Sequence, residues 1–214
     1  RMLAWVRLLI HGKPLCIFGA HLMTASRDSN GAVRACELSK IRTLASSRVQ
    51  PGETVLFCGD FNIDSRDNRD AHIWAGENTG YQEDIVGVRR LLWQRSDGSR
   101  LTLRDAYGGI AACTKCSSTR TGTRLETIDY IFYDEALLAP VEGSRTPLQC
   151  PQGAMPNEIE PSDHIPISVT FRMKEDAADL RSALLALEAS LLAQKRAWQH
   201  VATTLETITG AVCI

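Results

Sequence analysis

The chain has 214 residues, 44% of them hydrophobic, which is enough for a packed core and exceeds the ~100–150 residues of a common single domain. Its 24 basic and 25 acidic residues give a formal net charge of -1, which excludes a strongly basic nucleic-acid module and a solvating acidic tail. No run of about 18 apolar residues occurs, so no transmembrane segment is expected.

The chain opens on Arg1, already inside an apolar stretch, with no initiator Met, and this predicts a piece that lacks its true beginning. Leu3–Ile10 reads as a strand, His11-Gly12-Lys13-Pro14 as a turn and Leu15–Leu22 as a second strand, so the two form a hairpin. Ala25–Gly31 is polar loop. Val33–Val49 has helical spacing, with Val33, Cys36, Ile41 and Leu44 offered to a core, and Pro51-Gly52 ends it. Thr54–Cys58 is a short continuous apolar run, as in a strand buried on both faces. Helices are expected over 68–74 and 85–94, and Leu101–Ala106 fits either element. Cys113–Thr123, rich in Ser, Thr and Arg, reads as loop. Thr127–Tyr133 is a strand, 139–161 is proline-rich and irregular, and Ile165–Met173 alternates as a strand. Strands and helices alternate, so the class is α/β or α+β around a packed sheet.

From Glu175 the pattern changes. Ala177, Leu180, Leu184, Leu187, Leu191, Gln194, Trp198, Val201, Leu205 and Ile208 repeat at spacings of three and four, a heptad seam. A helix here would run roughly 50 Å at 1.5 Å per residue. It predicts a coiled coil or paired helical hairpin through 177–208, self-associated or with a partner, the alternative being a helix docked on its own domain. The expected organisation is a domain over 1–174 and a helix over 175–214.

Seven Cys are present. Cys16 and Cys58 lie in apolar runs and read as buried. Cys113-Thr-Lys-Cys116 is a lone C-x-x-C without a second pair, and a half zinc site with Cys150 is the weaker reading. The odd count and the lack of a glycosylation sequon point to an intracellular, cytoplasmic setting.

Four strings stand at strand ends: Gly19-Ala-His21-Leu22, Gly59-Asp60-Phe61-Asn62, Ile128-Asp129-Tyr130 and Ser162-Asp163-His164. Strand ends that converge on one sheet edge are where α/β folds build sites. Asp129 sits in an apolar strand, where a carboxylate is costly unless paired. His164 is the natural partner, because a carboxylate fixes an imidazole's tautomer and raises its basicity. Asp163 is then left as an oxygen ligand for a hard cation such as Mg²⁺ or Mn²⁺. Asp60, with Asn62 two residues on, can orient a water, and His21 adds a second imidazole. This set suits metal-assisted phosphoryl chemistry. Acyl transfer lacks a G-x-S-x-G elbow, and nucleotide-driven work lacks a P-loop.

These strings, with the helix that carries Arg34 and Glu37-Leu38, resemble the endonuclease/exonuclease/phosphatase superfamily over roughly residues 3–173. The resemblance implies a four-layer α/β sandwich of two facing sheets, a divalent metal and in-line hydrolysis of a phosphate ester. It implies that Asp60 positions or deprotonates the attacking water and Asn62 holds the phosphate. His164, braced by Asp129, would stabilise charge on the phosphoryl group or move a proton. His21 would contact phosphate or assist the leaving group, and Asp163 would lie near the metal. The family's principal metal-binding Glu and an Asn precede the His-Leu strand and are not in this chain, so a sheet face without its partner is expected, and the chain by itself is expected to be inactive. Two subfamilies fit. His21-Leu22 and Arg34-x-x-Glu-Leu look like neutral sphingomyelinases, which act on a phospholipid headgroup. Met155–Ile167 is similar to nocturnin-like deadenylases, which act on an RNA end. Tyr107, Tyr130 and Tyr133 could stack a base or pack in the core. An interaction or scaffold protein on a degenerate hydrolase domain is the alternative from another class.

Overall fold

A computed structural model describes residues 2–64, 73, 80–83, 88–95, 97–108, 113–120, 122–148, 155–158, 161–174, 185 and 188. The chain divides into two compact units, Arg1–Met173 and Lys174–Ile214. Every residue of the heptad seam lies outside the described residues, as does the expected helix over 68–74 apart from Ile73.

The first unit starts as the pattern predicts. β1 (Met2–Ile10) and β2 (Lys13–His21) form an antiparallel hairpin. α1 (Ala32–Arg48) then crosses to β3 (Thr54–Asp60), which pairs parallel to β2. Parallel neighbours need such a crossover, because a tight turn cannot reverse the chain twice.

The middle of the chain departs from expectation. β4 (Tyr81–Glu83), β5 (Arg89–Gln94) and β6 (Arg100–Asp105) are antiparallel neighbours. The helix expected over 85–94 is therefore a strand where it is described. Arg89, Leu91 and Trp93 point inward, at 6%, 0% and 2% exposure, an alternation of two. An inward arginine hides that alternation in the sequence. Its Nε lies 3.0 Å from Asp105 of β6, itself buried, so Asp105 conceals the period of β6 in the same way. The expected loop at 113–123 is a hairpin, β7 (Lys115–Thr119) with β8 (Gly122–Glu126). Its Ser, Thr and Arg are the outward residues of a two-stranded ribbon. β9 (Asp129–Asp134) fits expectation. Of the strand expected over 165–173 only β11 (Phe171–Met173) forms, paired with β10 (Leu138–Pro140), while upstream the Ser168 and Thr170 carbonyls accept single backbone bonds from Thr146 and Val141.

The large sheet runs β1-β2-β3-β9-β6-β5-β4. On one face α1 lays Leu38, Ile41 and Ala45 over Cys16, Phe18, Val55, Phe57 and Phe132, all at most 4% exposed. Phe57 meets Phe61 edge-on at 4.8 Å and Trp93 at 5.3 Å between ring centres. Each such pair adds about 0.5–1.5 kcal/mol beyond area burial. On the other face a second cluster joins Tyr107, Tyr133 and Leu138 to Leu56, Ile131, Ile167, Val169 and Phe171. Towards β1 that face is open: Val6, Leu8 and Ile10 are 46%, 39% and 38% exposed. Among the described residues no helix is long and apolar enough to cross a membrane.

Candidate active site

The register of β2, β3 and β9 places His21 beside Asp60 and Asp60 opposite Asp129. Gly59 makes this approach possible. Its φ is +138°, and a Cβ there would lie 1.9 Å from the Ala20 carbonyl oxygen, so no other residue fits the close approach of β2 and β3. Asp60 then ends β3 beside the last residue of β2, His21, and the first residue of β9, Asp129.

Asp60, Asp129 and His164 come together with one ligand atom each, all within 4.8 Å of one another. The imidazole Nδ1 of His164 lies 3.0 and 3.2 Å from the two carboxylate oxygens of Asp129. That contact, ahead of the costs of burial, raises the His164 pKa above its ordinary value, and Asp60 adds to the effect. Asp60 Oδ1 accepts a hydrogen bond from the Asn62 backbone N–H at 2.8 Å. Its Oδ2 lies 3.5 Å from Nε2 of His21 and 4.0 Å from Nε2 of His164. Burial, reinforced by the charge of Asp129, pushes the Asp60 carboxyl up. Asp60 and Asp129 held this close offer hard oxygen donors, and a divalent cation between them would offset the repulsion that raises Asp60. The residues present fit such an ion.

The other expected residues are placed differently. Asn62 is 7% exposed, and its side-chain amide donates to the Leu22 carbonyl at 3.1 Å, so it braces the turn. Asp163 stands apart from the cluster, with Oδ2 3.7 Å from Nζ of Lys115. Tyr107, Tyr130 and Tyr133 are all at most 7% exposed, so none offers a face for stacking a base. Tyr130 instead places its hydroxyl 2.8 Å from the Ile63 carbonyl and 2.7 Å from that of Thr127, tying β9 to the segment after Asp60. Cys113 and Cys116 are both fully buried free thiols, and the cation-competent group among the described residues contains no Cys. Cys150 lies outside the described residues.

Two residues that the sequence reading missed frame the site. Thr114 Oγ1 accepts the backbone N–H groups of both Ile128 and Asp129 at 3.0 Å, which holds the start of β9. Lys115 makes a β-bridge with His164, and the backbone N–H of Cys116 donates to the Asp163 carbonyl at 2.8 Å. Only Cys116 among the ribbon's strand residues is buried, so no alternation marked Thr114 and Lys115 in the sequence. A cleft of ≈ 420 Å³ opens here, lined by Asp129, Ser162, His164, Ile165 and Pro166 among others, a size that suits a small ligand.

Solved structures similar to this chain include ANGEL2, a 2′,3′-cyclic phosphatase in complex with adenosine-2′,3′-vanadate, at 24% identity, 76% of this chain, 57% of that chain and TM-score 0.48. The human Nocturnin catalytic domain with bound sulfate is 19% identical, covering 76% of this chain and 48% of that one, with TM-score 0.40. A double mutant of beta toxin from Staphylococcus aureus with bound magnesium ions is 14% identical, covering 77% and 56%, with TM-score 0.43. The chain thus spans between 48% and 57% of the lengths of these three proteins. No curated protein matches it. The endonuclease/exonuclease/phosphatase family model matches residues 7–164, well over half of the chain, and the chain belongs to that family.

Proposed function

We propose that the protein carrying this chain is a metal-dependent phosphodiesterase. The observation that supports this reading best is the cluster of Asp60, Asp129 and His164, with His164 braced on Asp129 and both imidazoles facing Asp60 Oδ2. Mg²⁺ or Mn²⁺ bound by the carboxylates would polarise a phosphoryl oxygen.

The chain's own groups divide the work as follows. Asp60, with Oδ1 held by the Asn62 amide, keeps Oδ2 for a water and accepts its proton. His164 stays cationic to higher pH than an ordinary imidazole because Asp129 faces it, and so it stabilises charge on the phosphoryl oxygens or gives up a proton. His21, 57% exposed at the rim, contacts the phosphate or the leaving group. Asn62 has one amide hydrogen beyond its bond to Leu22 for a phosphate oxygen. Asp163, paired with Lys115 outside the cluster, is the further carboxylate proposed to lie near the metal. An RNA end and a phospholipid headgroup both present such a phosphodiester.

The test is hydrolysis of bis-p-nitrophenyl phosphate, sphingomyelin and poly(A) by the intact protein with Mg²⁺ and with Mn²⁺. Turnover of at least one, abolished by chelation, supports the proposal, and the panel separates lipid from RNA. No turnover of any substrate with either metal sinks it and favours an interaction or scaffold role.

A further inference from the structure

Beneath the site lies an ion pair that no step above uses. The side chains of Arg34, in the first turn of α1, and Asp28, just ahead of the helix, are each 1% exposed, with Nε to Oδ2 at 3.2 Å. Removing two charges from water costs several kcal/mol each, and a buried pair is often replaceable by apolar residues without loss of stability. Stability alone is therefore a poor reason for it.

The hydrogen bonds show what the pair does. Asp28 Oδ1 accepts from the Val33 N–H at 3.1 Å and Oδ2 from the Arg34 N–H at 2.9 Å, so the carboxylate also closes the N-terminus of α1. These bonds and the Arg34 charge hold the Asp28 carboxyl below its usual range against the cost of burial. Arg34 is fixed at its base by this carboxylate, and its Nη2 donates to the Asp28 carbonyl at 2.9 Å. Its Nη1 donates to the carbonyl of Asn62. Asn62 has φ +50°, a left-handed conformation that costs a non-glycine residue of order 1 kcal/mol unless its surroundings enforce it. The same residue donates its N–H to Asp60 Oδ1. An unbroken chain of contacts therefore runs from the helix terminus through Asp28, Arg34 and the Asn62 peptide to the carboxylate that faces both imidazoles.

We propose that Arg34, held by Asp28, is a positioning residue. It locks the left-handed turn at Asn62 and so fixes which oxygen of Asp60 faces the site. The proposal rests on the reading of Asp60 as the group that handles the attacking water. Arg34 is not among the residues that line the cleft. A planar guanidinium can hold Asp28 and the Asn62 carbonyl at once, and a lysine ammonium on a flexible stem lacks that fork.

The experiment compares Arg34→Lys, Asp28→Asn and wild type in the intact protein, with bis-p-nitrophenyl phosphate and Mn²⁺ and with amide hydrogen exchange read at Asn62 and Phe57. Arg34→Lys is expected to lower kcat about 10- to 100-fold with KM within about twofold, as for a misplaced reacting group. The Asn62 amide should exchange at least about tenfold faster, while Phe57 in β3 is unchanged. Arg34→Ala, where it folds, should regain part of its rate on adding millimolar guanidinium ion. A folded Arg34→Lys protein with wild-type kcat, or with wild-type exchange at Asn62, overturns the proposal. So does a loss of exchange protection at Asn62 and Phe57 alike, which marks a merely structural role. If wild type shows no turnover at all, the phosphodiesterase reading falls, and exchange at Asn62 still decides whether Arg34 locks the turn.

Discussion

The two faces of the large sheet are unlike. Under α1 the centre of one face is sealed: Cys16, Phe18, Val55, Phe57 and Phe132 are all fully buried, and its β1 edge, with Trp5 and Leu9, is exposed. On the opposite face Leu15, Ile17, Leu56, Cys58 and Ile131 are only part-buried, and β1 leaves Val6, Leu8 and Ile10 open. Asp60 and Asp129 belong by alternation to that second, incompletely covered face. The packed face supplies rigidity and the open face carries the candidate site. A carboxylate on the sealed face would stay neutral or need a buried counter-ion, as Asp105 does with Arg89.

This contrast can be broken or sharpened by substitution. The largest expected effect is on activity without stability: His164→Ala should lower kcat about 10²–10⁴-fold, the range of general acid–base catalysis, and leave the thermal midpoint within a few degrees. An active, folded His164→Ala protein would refute its role. The converse is Phe57→Ala on the sealed face, expected to cost about 3–5 kcal/mol in urea unfolding with KM unchanged in the protein that stays folded. A cost under about 1 kcal/mol would mean that the aromatic cluster does not carry the fold.

The pH profile comes next. Activity that needs ionised Asp60 and cationic His164 is bell-shaped. Burial and Asp129 push Asp60 up in the metal-free protein and a bound cation offsets this, so the acid limb should move to higher pH as Mn²⁺ is lowered. Asp129 raises His164, so the basic limb should lie above ~6.5. Asp129→Asn removes both influences and should move both limbs to lower pH; a basic limb that stays in place shows that another group sets it. The linked stability has the same sign. The contribution of the His164–Asp129 contact is fully present below ~6.5 and is lost as pH rises through the raised folded value. The smallest effect is expected at the open edge, where Val6→Ser should change stability by no more than about 0.5 kcal/mol. A larger loss would show that β1 is covered in the intact protein.

Much of this was legible in the residues, and the misses share one cause. The bounds of α1 were legible, but of the residues offered to its core Val33 and Cys36 are exposed, and the buried ones are Arg34, Leu38, Ile41 and Ala45. The hairpin of β1 and β2 and strands β3 and β9 follow from apolar runs. β5 and β6 did not, because Arg89 and Asp105 occupy inward positions and neutralise each other only across the sheet. The β7–β8 ribbon did not, because its inward Cys116 and outward serines read as turn chemistry until Thr114 and Lys115 dock on Asp129 and His164. The pairing of Asp129 with His164 was foreseeable, since a carboxylate inside an apolar strand needs a partner. The company that Asn62 and Asp163 keep was not.

The sequence by itself therefore determined the local elements and the residue types at the strand ends, because periodicity and the cost of burying charge act within a few residues. Only the tertiary structure decided which strand ends meet, which oxygen of Asp60 faces the imidazoles, and which face of the sheet carries the chemistry. Those depend on the register between strands far apart in the chain, and on a buried arginine whose purpose appears only when its distant carbonyl partner is in place.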